Sequence, residues 1–233
     1  MDLDINMSNL FEINFNKFPK RLVVIGNSHV HQFSGEDPRC IQFQNDSSIV
    51  YRLGPATAYK FCDKYLNRIK EILKSIEFCV DEDLLITVAG EIDCRIHILE
   101  QSQIQERKVE SIITHTALKY FQTHILLSNI YPELKCIIWG IHPSRPNSSH
   151  RVEEDYFGTV DDRNNVTKLF NKELNLLCNA TKNIKFASIY SHILDNNGDV
   201  NEDLYLDSVH LDANKIKNFL ELELNNTIKL FNK

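Results

Sequence analysis

The sequence lacks any apolar run of the roughly 20 residues that a membrane-spanning helix needs. Its first segment, MDLDINMSNLFEINF, is acidic, whereas a secretory signal peptide begins with basic residues. Basic residues are also outnumbered, 26 against 32 acidic ones, so the net charge is -6. This charge does not favour binding to the phosphate backbone of a nucleic acid. These absences predict a cytoplasmic protein that binds neither membranes nor nucleic acids.

Cysteine patterns typical of zinc sites or disulfide frameworks are absent as well, because no C-x-x-C pair occurs. The cysteines are Cys40, Cys62, Cys79, Cys94, Cys136 and Cys178. Several lie in apolar segments such as KCIIWG and NLLCNA, where a thiol packs as a small hydrophobic residue. We therefore expect reduced thiols in the core, no metal and no cofactor.

Internal repeats, low-complexity tracts and Gly/Ser linkers are also missing. A chain of 233 residues with 42% hydrophobic and 25% charged residues is typical of one globular domain. We predict a single domain over 1–233, with 1–19 as an N-terminal extension that packs on or near the core. The amphipathic helices are accounted for by packing on a sheet, so the sequence leaves the oligomeric state open.

Short β-forming runs alternate with segments of helical period, which predicts an α/β fold with a parallel sheet of about five strands. The predicted strands are 21–25, 48–52, 84–89, 135–140 and 184–189. The predicted helices are 56–76, 105–128, 164–179 and a last one that begins near Asp212. A long, Pro-rich and charged loop at 142–164 follows the fourth strand, at the carboxyl edge where open α/β folds bind ligands.

A candidate nucleophile follows the first strand, where RLVVI breaks into Gly26, Asn27 and Ser28. The turn places the Ser28 hydroxyl near a helix N-terminus, which favours developing negative charge. A serine nucleophile needs an oriented imidazole, and Asp207 precedes His210 by three positions near the other end of the chain. The alternatives are that Ser28 is only a helix cap and that Asp207 and Asp212 only cap the last helix.

Four short blocks in this order resemble the SGNH/GDSL hydrolases: GNS at 26–28, the glycine of YRLGPAT at Gly54, AGEID at 89–93, and D-x-x-H at 207–210. The resemblance runs from about residue 20 onward. It implies a three-layer, flavodoxin-like α/β/α sandwich and ester hydrolysis or acyl transfer. Ser28 would attack, His210 would be the base and Asp207 would orient it, while the N–H groups of Ser28 and Gly54 would bind the oxyanion.

Two positions depart from the family pattern: Asn27 replaces an Asp, and Ile92 replaces the Asn whose amide serves the oxyanion hole. Asn27 keeps much of the hydrogen bonding, whereas Ile92 has no donor. In GEIDCRIH at 90–97, Arg95 is predicted to supply the missing positive charge or to bind an acidic or hydroxyl-rich substrate. The alternative is that Asp93 and Arg95 form an internal ion pair.

Further polar residues follow the strands and are candidates for binding substrate. The candidates are Asn27, His29, Glu91, Asp93, Arg95, His97 and His142. His29 and His31 flank the nucleophile, but adjacent histidines are more often solvated loop residues. His142 is expected at the substrate edge with Arg145 behind it, and Trp139 in the core. A metal cluster of Asp93, Cys94 and His97 lacks the convergent spacing such a site needs.

Three functions compete at this stage. The first is a serine esterase that removes O-acyl groups, such as O-acetyl, from a carbohydrate or another polar small molecule. The second is an acyltransferase with the same triad, in which a hydroxyl replaces water. The third is a binding protein that keeps the fold without catalysis, which is motivated by Ile92.

Overall fold

The computed structural model describes residues 18–146 and 156–232, and within them six strands form one sheet in the order β2-β3-β1-β4-β5-β6. The strands are β1 (Arg21–Gly26), β2 (Gln42–Gln44), β3 (Ser48–Arg52), β4 (Asp83–Val88), β5 (Cys136–Trp139) and β6 (Ile184–Ala187). The predicted α/β class and the five parallel strands are confirmed. The sixth strand, β2, is an antiparallel edge that the sequence did not reveal.

Helices connect the strands and cover both faces of the sheet. They are α1 (Ala58–Lys60), α2 (Leu66–Ser75), α3 (Ile98–Ile104), α4 (Val109–Ile130), α5 (Val160–Asn179) and α6 (Ala213–Ile228). A π-helical turn at Phe61–Tyr65 joins α1 to α2, and another at Asp93–His97 precedes α3. The four predicted helices are confirmed with shifted ends, whereas α3 was not predicted. Helix α5 begins before residue 164 because Thr159 and Asp162 form a capping box.

The three layers follow from the alternation of side chains along the strands. On β1, Val23 and Ile25 point to the face covered by α1 to α5, in a core that includes Phe61, Tyr120 and Phe170. The opposite face carries Leu22, Val24 and Trp139 and is covered by α6 and the short helix after β1. Trp139 lies in the core, as predicted.

All six cysteines are free thiols, and four of them are buried. Among residues 18–146 and 156–232, no helix combines the length and hydrophobicity required to cross a bilayer. The same residues contain no group of three or more His, Cys, Asp or Glu side chains arranged to hold a metal ion. Most of the predicted extension at 1–19, and positions 147–155 of the predicted loop, lie outside the described residues.

The carboxyl end of β1 is pressed closely against β4. A Cβ atom on Gly26 would lie 2.0 Å from the carbonyl oxygen of Val88, so only glycine fits here. The next N–H, that of Asn27, donates to the same carbonyl at 2.9 Å. This close approach fixes where the chain leaves the sheet, so Ser28 follows at the turn after β1.

Candidate active site

Ser28, His210 and Asp207 meet at the carboxyl edge of the sheet, although 182 positions separate Ser28 from His210. Ser28 begins a short 3₁₀ helix, Ser28–Phe33, directly after β1. Its Oγ lies 2.8 Å from Nε2 of His210, and Nδ1 of His210 lies 2.8 Å from Oδ2 of Asp207. The arrangement is a hydroxyl, an imidazole and a carboxylate in a continuous hydrogen-bonded series.

The loop that carries His210 is held by the same carboxylate. Oδ1 of Asp207 accepts the N–H groups of Val209 at 2.7 Å and of His210 at 2.8 Å. Burial disfavours the charged form of Asp207, but these N–H groups and the His210 ring outweigh it, so the pKa of Asp207 is lowered. Asp212, not Asp207, caps α6, by accepting the N–H of Asn214.

Arg145 also contacts the loop that carries His210. Its Nε donates to Glu202 at 2.9 Å, and its Nη1 donates to the carbonyl oxygen of Asp207 at 3.3 Å. The guanidinium group of Arg145, three positions after His142, therefore contacts the Asp207 loop.

The turn before Ser28 is fixed by Asn27. This side chain is 2% exposed, and its Oδ1 accepts the N–H of His29 at 3.1 Å. Asn27 thus performs the hydrogen bonding expected of the family's aspartate without its charge. Asn27 therefore shapes the turn, and its role in binding substrate stays a prediction.

The two backbone N–H groups predicted to bind an oxyanion are those of Ser28 and Gly54. The N–H of Leu53 donates to the carbonyl oxygen of Gly26 at 2.7 Å, which brings the following residue, Gly54, beside the nucleophile turn. Gly54 has φ +88°, a left-handed conformation that glycine adopts without strain. Neither the N–H of Ser28 nor that of Gly54 donates to an acceptor in the described part of the chain. Both are therefore available to an oxyanion.

The charged residues after β4 are paired differently from the prediction. Nε of Arg95 lies 2.5 Å from Oε1 of Glu91, one helical turn earlier. Asp93 instead accepts the N–H groups of Ala58 at 2.6 Å and Tyr59 at 3.2 Å, and so caps α1. The alternative of an Asp93–Arg95 ion pair is wrong because residues two apart on a helical turn do not face each other, whereas those four apart do.

Glu91 and Arg95 are both 8% exposed. Burial opposes ionisation of Glu91, but His29 and Arg95 outweigh it and lower its pKa. The guanidinium group of Arg95 also lies over the ring of Tyr156, 5.4 Å from its centroid. The Arg95 charge is therefore compensated inside the protein.

Four imidazole rings form a cluster next to Ser28: His29, His31, His142 and His210. The ring of His29 lies 4.8 Å from those of His142 and His210, and the ring of His31 meets His210 edge-on at 5.2 Å. Because His29 and His31 are each 3% exposed, the expectation that they are solvated is wrong. Burial lowers the pKa of His29 to about 3 and that of His142 to about 4, so both rings are neutral near pH 7.

His97 differs from the other predicted substrate-binding residues because its side chain is exposed; the remainder are buried. It lines a cavity of about 380 Å³ between α1, α3 and the start of α4. Asp93 also lines this cavity, but sequence reasoning missed its remaining residues, among them Tyr59 and Arg107, since single exposed side chains on separate helices leave no pattern.

Comparison with known proteins gives matches among solved structures. No protein-family model matches the chain, and no curated protein matches it. A proposed acylhydrolase from Bacteroides fragilis superposes with a TM-score of 0.59 at 20% identity, covering 89% of this chain and 85% of its own. A GDSL-like lipase from Bacteroides thetaiotaomicron gives 0.57 at 16% identity, covering 90% of this chain and 88% of its own.

Est24, a carbohydrate acetylesterase from Sinorhizobium meliloti, gives a TM-score of 0.52 at 15% identity, covering 89% of this chain and 99% of its own. At these identities the comparison concerns the path of the backbone. The chain has the α/β/α fold found in GDSL-like lipases and acetylesterases.

Proposed function

We propose that the protein is a serine-dependent hydrolase that removes a short acyl group, such as acetyl, from a hydroxyl of a carbohydrate or another polar small molecule. One observation carries the proposal: Ser28 Oγ, His210 and Asp207 form a continuous series with both contacts at 2.8 Å. The arrangement fits acyl transfer, in which an imidazole held by a carboxylate takes the proton of a serine.

In the first half-reaction, Ser28 Oγ attacks the carbonyl carbon of the ester while Nε2 of His210 takes the hydroxyl proton. Asp207 holds Nδ1–H and stabilises the resulting imidazolium. The N–H groups of Ser28 and Gly54 stabilise the negative oxygen of the tetrahedral intermediate. The C–O bond to the alcohol then breaks, His210 returns its proton to the alcohol oxygen, and an acyl-enzyme remains on Ser28.

In the second half-reaction, water attacks the acyl-enzyme, and His210 accepts its proton and passes it to Ser28 Oγ as the carboxylic acid leaves. An acceptor hydroxyl in place of water would make the same protein an acyltransferase. The two activities share every protein group, so the acceptor decides between them.

Two small cavities near the histidine cluster agree with a short acyl chain. Within the described residues, the cavities beside His142 and beside His29 hold about 10 Å³ each, room for about one water molecule. A long lipid chain requires more volume than either cavity offers. The similarity to a carbohydrate acetylesterase agrees with this substrate class.

A binding protein without catalysis is the second candidate, and Ile92 is the observation that favours it. This half-buried side chain stands where the resemblance places an oxyanion-hole amide. Losing one oxyanion-hole donor lowers turnover by about 10²- to 10³-fold in serine hydrolases.

Labelling with a fluorophosphonate probe and hydrolysis of p-nitrophenyl acetate test the proposal, with Ser28→Ala and His210→Ala beside the unmodified protein. Ser75→Ala and His192→Ala are matched controls, since Ser75 caps the end of α2 and His192 pairs with Glu223 on α6. We expect labelling and turnover in the unmodified protein and both controls, and their loss in the two active-site variants.

Hydrolysis that survives in Ser28→Ala would refute the mechanism. Absence of both labelling and hydrolysis in the unmodified protein would favour the binding protein. Adding a sugar acceptor and following its mass then separates transfer from hydrolysis.

A further inference from the structure

The cavity of about 380 Å³ begins close to the proposed oxyanion hole, yet it is formed by residues that the reaction does not use. Its rim includes Thr57, three residues after Gly54. Three peptide units span at most about 11 Å, so Thr57 lies within about 11 Å of Gly54, whose N–H belongs to the proposed oxyanion hole. Ligand sites in proteins typically measure about 300–1,000 Å³, and the cavity falls in that range.

One wall of the cavity presents an aromatic ring to solvent. Tyr59 is 41% exposed, and the ring of His115 lies 5.6 Å from it. A tyrosine ring has an apolar face and a polar tip, so it packs well against ligands whose two faces are C–H and whose edge carries hydroxyl groups. Sugars have that character.

The remaining lining combines an apolar floor with hydrogen-bonding groups. Ile98 and Ile112 are buried at its base. Around them stand the side-chain amides of Gln101 and Gln105 and the hydroxyl of Thr57. Amides and hydroxyls both donate and accept, which matches the hydroxyl groups of a saccharide.

The cavity lining carries two cations and two carboxylates, and both carboxylates have partners within the protein. Arg107 donates to Gln105 at 3.1 Å and Ser111 at 2.7 Å, both neutral acceptors, and Lys60 adds a second cation. Of the two carboxylates in the lining, Asp93 accepts backbone N–H groups at the start of α1, and Glu100 lies 3.3 Å from His97. A ligand with a carboxylate would complement Arg107 through a charge-assisted hydrogen bond.

We propose that this cavity, the Tyr59 cavity, binds the alcohol portion of the substrate and that this portion is an acidic saccharide. The O-acyl group lies at Ser28, the sugar ring packs on Tyr59, and the sugar carboxylate pairs with Arg107. The inference rests on the proposed hydrolase function for its catalytic part, whereas the binding of the saccharide is independent of catalysis.

The catalytic test compares kcat/KM for an acetylated uronic-acid oligosaccharide, an acetylated neutral oligosaccharide and p-nitrophenyl acetate. In Arg107→Gln we expect the ratio for acidic over neutral oligosaccharide to fall about tenfold, the loss of one charge-assisted hydrogen bond. Arg107→Lys retains the charge and restores most of the ratio. Tyr59→Ala lowers kcat/KM for both oligosaccharides about fivefold relative to p-nitrophenyl acetate, since it removes an aromatic contact.

Arg68→Gln is the matched control, because Arg68 lies exposed on α2 beside Glu71 and is not part of the cavity. An acidic-to-neutral ratio that is the same in Arg107→Gln as in Arg68→Gln would overturn the assignment of the acidic saccharide. Unchanged relative kcat/KM for both oligosaccharides in Tyr59→Ala would overturn the cavity as the binding site.

A binding experiment separates failure of this inference from failure of the proposed function. Ser28→Ala protein is titrated by calorimetry with the deacetylated uronic-acid oligosaccharide, with and without Arg107→Gln. Binding that weakens with Arg107→Gln supports the Tyr59 cavity even if no ester is hydrolysed. Hydrolysis of p-nitrophenyl acetate together with no oligosaccharide binding overturns the cavity assignment alone.

Discussion

Nε2 of His31 lies 2.8 Å from the carbonyl oxygen of Leu211, a residue 180 positions further along the chain. Its Nδ1 lies 3.0 Å from the carbonyl oxygen of Ser28. One buried ring therefore connects the turn that carries the proposed nucleophile to the loop that carries the proposed base. Burial lowers the pKa of His31, so the ring is neutral near pH 7 and donates its single N–H to one of the two carbonyl groups.

Replacing His31 with Leu removes this connection. We expect the free energy of unfolding to fall by about 2 kcal/mol, because a buried carbonyl loses its donor. We also expect kcat for an acetyl ester to fall by about 10- to 100-fold, since small displacements of reacting groups slow catalysis strongly. Urea unfolding and steady-state kinetics measure the two effects. A stability loss with unchanged kcat would show that His31 does not position the triad.

Asp207→Asn tests the orientation of the imidazole. An amide keeps one acceptor oxygen but places an N–H₂ group where the structure has the second, so the N–H groups of Val209 and His210 compete with His210 Nδ1 for one oxygen. We expect kcat to fall about 10³- to 10⁴-fold, as for the equivalent change in serine proteases. The melting temperature should also fall modestly, because Asn accepts fewer of these N–H groups than the carboxylate does; a fully active variant would exclude Asp207 from the mechanism.

Ile92→Asn tests the missing oxyanion-hole donor. If the half-buried position faces the oxyanion, an amide there should raise kcat for p-nitrophenyl acetate by up to about 10²-fold. Ile96→Asn is the matched control, because Ile96 is a half-buried isoleucine of the same π-helical turn, four positions later. Equal or lower turnover in Ile92→Asn than in the unmodified protein would show that the N–H groups of Ser28 and Gly54 suffice.

Gly26→Ala tests the close approach of β1 to β4. A Cβ atom 2.0 Å from the Val88 carbonyl oxygen forces the strands apart, and we expect the free energy of unfolding to fall by about 3 kcal/mol. Gly198→Ala serves as the comparison: a Cβ there meets no atom within 4 Å, and only its φ of +87° is strained, which costs about 1 kcal/mol. Thermal unfolding of the two variants should differ accordingly; equal losses would contradict a close contact at Gly26.

Stability should decline on mild acidification because of buried neutral histidines. Burial lowers the pKa of His124 from 6.5 to about 4, and its Nε2 lies 2.7 Å from Oγ1 of Thr87. Between these pH values His124 binds a proton in the unfolded chain but not in the folded protein. The free energy of unfolding therefore falls as the pH drops from about 6.5 towards 4. His124 accounts for about 3 kcal/mol of the full decline.

Urea unfolding between pH 7 and pH 4.5 measures this decline. In His124→Gln the slope should be shallower, whereas His192→Gln, at a partly exposed position beside Glu223, is the control. Identical slopes in the unmodified protein and His124→Gln would contradict the assignment.

The parallel strands were predictable because they are short segments rich in apolar and β-forming residues, and the central ones, β1, β4 and β5, are buried almost throughout. Strand β2 was not, because Gln42–Gln44 contains one apolar residue and lies mostly exposed at the edge. Helix α3 was missed because the π-helical turn at Asp93–His97 interrupts the period of 3.6 residues just before it.

The Ser28, Asp207 and His210 contacts were predictable since a short motif encodes each side of the site and the sheet brings the two sides together. The partner of Arg95 was mistaken because the sequence does not reveal that a helical turn begins directly after β4, which selects Glu91 at four positions. The role of His31 was invisible because its partners are backbone carbonyl groups, which every residue carries and no motif marks.

The pairing of Ser28 with His210 has a consequence for synthesis on the ribosome. Chains grow from the N-terminus at about 5–20 residues per second, so Ser28 is synthesised well before His210. Until the segment around His210 has left the exit tunnel and docked, the Ser28 hydroxyl has no proton acceptor from that loop. Nascent chains that end before this segment should therefore remain unlabelled by a fluorophosphonate, so labelling of ribosome-bound chains of increasing length would report when the two ends first meet.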